Sequence, residues 1–123
     1  MTTPNRERTL KIILVVLGIL QFGTSAFSMV QAIGRLPRSI TTPMLESVLM
    51  TLGVFLVLAA RNPPAHRSLI LYGGWANIAH GAVMALMAIP VATQRLELLI
   101  PAALAGAGGA LLLMFAPPSP HQA

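Results

Sequence analysis

The chain has 123 residues, 55% of them hydrophobic and only 9% charged, with a net charge of +5 at pH 7 and a mean hydropathy of +0.77. Soluble domains carry about 25% charged residues, so a water-facing surface cannot be covered, and a soluble globular enzyme, a disordered chain and a collagen-like fibre are excluded. The absence of cysteine excludes a disulfide framework, a thiolate zinc site, an Fe–S cluster and a cysteine nucleophile.

The apolar content is enough for four bilayer crossings at about 20 residues each. Residues 1–9 are polar, carry Pro4 and read as a short flexible tail. A first span is placed at 10–32. Arg6, Arg8 and Lys11, followed by an apolar stretch and Thr24-Ser25-Ala26, have the outline of a secretory signal. The run continues through Phe27, Met29 and Val30, which suits a retained span. Gly34 and Pro37 then break the pattern, with Thr42 predicted as an N-cap and Pro43 as the first helical residue. A second span, 44–60, stops at Arg61-Asn62-Pro63-Pro64, because consecutive prolines end a helix. A third span, 67–89, stops at Pro90, and a fourth, 96–115, contains Pro101. Residues 116–123 form a Pro-rich tail without helical potential.

These runs are continuously apolar rather than alternating, so helices satisfy the backbone and a β-barrel does not. Short connections make neighbours antiparallel. The expected fold is all-α, an antiparallel membrane-spanning four-helix bundle. The eight basic residues lie at the ends of the runs and in the gaps between them, at headgroup level beside the lipid bilayer rather than on a nucleic-acid-binding stripe. Arg6, Arg8, Lys11, Arg61 and Arg67 fall on one side, and Arg35, Arg38 and Arg95 on the other. By the positive-inside rule both termini are cytoplasmic.

Few polar residues lie inside the spans. Gln21, Ser25 and Ser28 share one face of the first helix at helical spacing. Glu46, with Gly53 and Ala60 on the same side of the second helix, is an acid inside a span and is expensive in lipid unless paired or near an interface. It is expected to pair with Arg35, Arg38 or Arg95, or else to be a proton- or cation-responsive site. On the third helix Asn77 and His80 lie one turn apart. If the bundle closes, these residues share a polar pocket in the outer half with Glu46 at its mouth. Plain interhelical hydrogen bonding is the competing reading.

His80, Met84 and Met87 form a stripe whose donors suit Cu(I), although methionine is also an ordinary gap-filler, and no metal or cofactor is expected. Tyr72 and Trp75 suit interfacial anchoring. Ala102, Gly106 and Ala110, Ala105 and Gly109, and Gly73, Gly74 and Gly81 are small-residue ridges for close helix packing or dimerisation. No Walker loop, dinucleotide fingerprint, nucleophile elbow or zinc-protease motif occurs.

The stretch from Leu58 through Arg61-Asn62-Pro63-Pro64-Ala65-His66-Arg67-Ser68 to Ile70, followed by Trp75-Ala76-Asn77-Ile78-Ala79-His80-Gly81-Ala82-Val83-Met84, resembles a bacterial family of small four-span membrane proteins. That family is known only as a domain of unknown function and is distantly similar to the DoxX-like group. The resemblance covers about a third of the chain. It implies that Glu46, Arg61, Pro63, His66, Ser68, His80 and Met84 fall on characteristic positions, together with a bacterial inner-membrane location, and it brings no activity or cofactor. Size and span count are also similar to the small multidrug resistance exporters, but Gln21 stands where those carry their essential carboxylate.

The sequence thus predicts a non-enzymatic membrane protein, an accessory or small-ligand-binding component with a pocket around His80, Asn77 and Gln21. The alternative is a dimeric transporter or channel using Glu46 and His80 as protonatable sites. A third class is a quinone- or haem-linked redox subunit. Partners are the bilayer and a homodimer or larger membrane complex, with no nucleic acid.

Overall fold

The computed structural model describes residues 3–38 and 40–122. Four α-helices dominate: α1 (Pro4–Ile33), α2 (Thr41–Ala59), α3 (Arg67–Met87) and α4 (Arg95–Phe115). Short 3-10 turns cover Pro63–His66, Ala92–Gln94 and Pro120–Gln122, and no strand occurs among the described residues. All four helices are long and apolar enough to cross a membrane.

Several boundaries differ from those read in the sequence. The polar residues before Leu10 are a continuation of α1 rather than a flexible tail, apart from Met1 and Thr2, which lie outside the described residues. Pro4 starts the helix, where its missing N–H costs nothing, and the Thr3 side chain accepts a hydrogen bond from the Arg6 N–H at 3.3 Å. Thr42 and Pro43 lie inside the first turn of α2 rather than capping it; Ile40 holds the N-cap position without a side-chain bond. The Pro63-Pro64 pair forms a 3-10 turn that leads directly into α3. The third span ends at Met87, before Pro90. The Pro-rich tail closes with one 3-10 turn rather than remaining wholly irregular; its last residue, Ala123, lies outside the described ones.

Close packing occurs in two pairs, α1 with α2 and α3 with α4. A methyl added at Gly18 would lie 2.6 Å from the Gly53 carbonyl oxygen, and one at Gly53 would lie 2.7 Å from that of Gly18. Only hydrogen at both positions lets these backbones meet, the contact that replaces hydrophobic drive between helices in lipid. In the second pair, Gly74 faces Gly109 and Leu113, while Gly81 faces Ala102 and Gly106. The contact positions climb α3 as they descend α4.

The pairs meet through a core of Leu10, Leu14, Leu52, Leu56, Ala59, Ile70, Leu112 and Ala116. This core occupies the half of the molecule that holds the start of α1 and the end of α4. Arginines secure the same end. Arg6 donates to the carbonyls of Met114 at 2.9 Å and Ala116 at 3.4 Å, and Arg67 Nε donates to the Pro117 carbonyl at 2.8 Å. At the opposite end Arg95 reaches the Ala88 and Ile89 carbonyls just past α3. The last carbonyls of a helix lack intrahelical partners and carry partial negative charge, so guanidinium groups suit them.

Outside the core the helices are apolar on their exposed faces too. Ile12, Val16, Ile19, Phe27, Val48, Val83, Leu86, Ile100 and Met114 are all exposed. Such a belt on every helix is costly in water and ordinary in lipid.

Candidate functional site

In the half of the molecule away from the leucine core, the interior positions change character. Where the core half has Leu10, Leu14 and Leu112, this half has Ser25 and Ser28 on α1 and Ala105 and Gly108 on α4. Small side chains leave volume unfilled. The result is a cavity of about 370 Å³ among all four helices.

The structure brings Gln21, Ser25, Ser28, Glu46, Asn77 and His80 together around this cavity, with Met84 beside them. Ser25 is buried, and the other five are half-buried. Asn77 Nδ2 donates to the Gly73 carbonyl at 2.8 Å, one turn back on its own helix, and to Gln21 Oε1 across the cavity at 3.3 Å. A backbone carbonyl only accepts, so the first bond fixes which side of the Asn77 amide carries nitrogen. Its oxygen therefore stays available, and so does the Gln21 amide nitrogen. Among the described residues, the side chains of Ser25, Ser28, Glu46 and His80 make no hydrogen bond or ion pair.

The expected pairing of Glu46 with Arg35, Arg38 or Arg95 is not present. Arg95 is spent on helix-end carbonyls, and the one ion pair among the described residues joins Lys11 to Glu7 at 3.0 Å, one turn apart on exposed helix. The copper stripe is also divided. Met84 lines the cavity with His80, but Met87 lies beyond it and is 52% exposed. No cluster of three His, Asp or Glu arranged to hold a metal occurs among the described residues.

Lining residues not anticipated from the sequence are Leu17, Leu20, Thr24, Leu49, Pro101, Leu104, Ala105 and Gly108. On α4 the four lie at i, i+3, i+4 and i+7, one helical face. That spacing was legible, but Pro101 suggested only a helix start and Gly108 merged into a long small-residue run. The rim is apolar: Leu20 on α1 and Pro101 and Leu104 on α4 are exposed. Thr24 shares this rim, with its hydroxyl turned back to the Leu20 carbonyl at 2.8 Å.

A second groove, of about 340 Å³, runs between α2 and α3 past Ser47, Thr51, Phe55 and Tyr72. Its hydroxyls on α2 bond their own helix, Ser47 to Met44 and Thr51 to Ser47. Those two hydroxyl protons are therefore already committed. Arg61 is exposed beside the 3-10 turn, and His66 in that turn makes a 2.9 Å contact between Nδ1 and the Asn62 carbonyl. Tyr72 and Trp75 point outward from α3.

The family model of a family of unknown function, DUF6632, matches residues 4–114. The match takes in all four helices almost entirely, and the chain belongs to that family. No match was found among curated proteins or among solved structures.

Proposed function

We propose that this chain is a multi-pass, non-enzymatic protein of a bacterial inner membrane, distantly related to the DoxX-like group, with an antiparallel four-helix bundle and both termini cytoplasmic. Its role is that of an accessory or small-ligand-binding component, and the ligand site is the cavity around His80, Asn77 and Gln21. The carrying observation is that polar side chains from three helices converge on one cavity while four of them have no partner among the described residues. Their polar atoms open onto the cavity rather than being sealed in protein, so a bound ligand can supply the partners that the protein does not.

The membrane assignment is supported by four apolar helices with exposed apolar faces. The orientation is supported by arginines gathered where α1 begins, α3 begins and α4 ends. Two substitutions test the site. His80→Leu and Asn77→Leu should each remove a small molecule that co-purifies with the wild-type protein while assembly is kept. Retention of that molecule by both variants would refute the assignment.

One observation favours transport as a second reading: two titratable side chains within the spans, Glu46 and His80, line the same cavity. Proton-coupled flux in proteoliposomes should then disappear with Glu46→Gln; flux that persists in this variant counts against it.

A further inference from the structure

The chemistry of the cavity points to a particular class of ligand, on the premise that the cavity is a ligand site. Among the described residues Glu46 is the one acidic side chain lining it, and neither lysine nor arginine does. Its carboxyl has no partner among the described residues. Behind it Ser25 is only 4% exposed, with a hydroxyl that also lacks a partner there. Asn77 has committed its amide nitrogen and presents its oxygen. An anionic ligand would meet the carboxyl with no lysine or arginine to offset it, whereas a ligand carrying N–H donors and positive charge meets the open oxygens of Glu46, Ser25 and Asn77.

The walls and the opening select for the rest of the molecule. Leu17, Leu49 and Met84 offer apolar surface. The open side lies between α1 and α4, and its exposed leucines, Leu20 and Leu104, sit near the middle of their helices. Mid-helix positions face hydrocarbon in a spanning helix of this length. At about 370 Å³ the space is near the lower end of small-molecule sites, about 300–1,000 Å³, which suits one ring with a short chain.

We propose that the cavity takes a lipid-soluble amine, admitted sideways from the bilayer between α1 and α4, with its ammonium on Glu46 and its apolar body against the leucine walls. The same ammonium chemistry is available from a free arylalkylamine or from the headgroup of phosphatidylethanolamine, and the test separates them. The full chain is placed in phosphatidylglycerol nanodiscs and titrated with 2-phenylethylamine and its neutral isostere 2-phenylethanol, following heat and thermal unfolding. The amine should bind at least tenfold more tightly than the alcohol. Glu46→Gln, nearly isosteric and with no bond to lose, should keep its helical circular dichroism and abolish that preference. Leu104→Trp, which fills the opening, should slow association of the amine.

In a second arm, native mass spectrometry follows added phosphatidylethanolamine. Retention by the wild type and loss in Glu46→Gln assigns the ammonium to the headgroup, whereas an amine preference without lipid retention assigns it to a free amine. Equal affinity for amine and alcohol, or a preference unchanged in Glu46→Gln, overturns the inference. Alcohol binding that His80→Leu removes would leave the ligand-site reading standing while the amine is refuted. Binding of neither probe overturns the amine, and the co-purification test on His80 and Asn77 then decides the ligand site separately.

Discussion

At the scale of single residues, two kinds of contact decide whether the interior holds. The first is the absence of a side chain. Gly53→Ala would bring a methyl to 2.7 Å from the Gly18 carbonyl oxygen and 2.9 Å from the Phe22 nitrogen. Both neighbours are backbone and cannot rotate away, so α1 and α2 must separate, at a cost of about 1–3 kcal/mol. Gly23→Ala and Gly106→Ala meet nothing within 4 Å, and should leave stability within about 1 kcal/mol of wild type, since alanine is the better helix former. Reversible unfolding in mixed detergent micelles measures all three. Equal loss in Gly53→Ala and Gly106→Ala would show that backbone approach is not what joins the first pair. The second kind of contact is the amide pair. A double-mutant cycle on Gln21→Leu and Asn77→Leu should give a coupling of about 0.6–2 kcal/mol, the range for polar contacts between helices in lipid. Additive effects would mean that the 3.3 Å bond contributes nothing.

At the scale of elements, helix ends matter as much as helix faces. From two different helices, Arg6 holds the Met114 carbonyl in the last turn of α4 and Arg67 the Pro117 carbonyl just beyond it. Arg67→Ala should speed hydrogen exchange in the last turn of α4 and raise proteolysis of the Pro-rich segment, while the leucine core keeps its protection. The expected cost is about 1 kcal/mol, that of a hydrogen bond with a charged donor at a partly wet site. Unchanged exchange there would reduce Arg67 to a headgroup contact. The existence of the four helices was legible because apolar runs about 20 residues long are separated by Pro, Gly and Arg. The ends were less so. Thr42-Pro43 carries the residue types of a helix start, yet α2 begins at Thr41. The polar residues at Arg6 and Arg8 hid a continuing α1, since amphipathic arginine tolerates a helix that emerges from lipid. Gly18 was passed over among leucines because its partner, Gly53, is distant in sequence. The cavity's polar residues were visible from helical spacing alone, because polar side chains are so few in the spans. Their partnership was not: the pairing of Glu46 depends on where Arg95 goes, and Arg95 goes to carbonyls at the end of α3.

At the scale of the whole molecule, two halves do different work. One is closed by leucines and fastened by arginines, and the other is left hollow by serine, alanine and glycine. The orientation is open to direct test, since no native cysteine competes with an introduced one. In intact cells an impermeant thiol reagent should label Ala92→Cys, in the turn before α4, and spare Ala65→Cys, in the turn before α3. The opposite pattern would invert the orientation and place the hollow half toward the cytoplasm.

We propose that the hollow half is occupied by a small molecule held by His80, Asn77 and Gln21. Native mass spectrometry of the wild-type protein and of His80→Leu, released side by side from a mild detergent, tests it most directly. One added small-molecule mass is expected on the wild-type chain, with its loss from the variant. A wild-type chain that carries no added mass, or a variant that retains it in full, would contradict the claim.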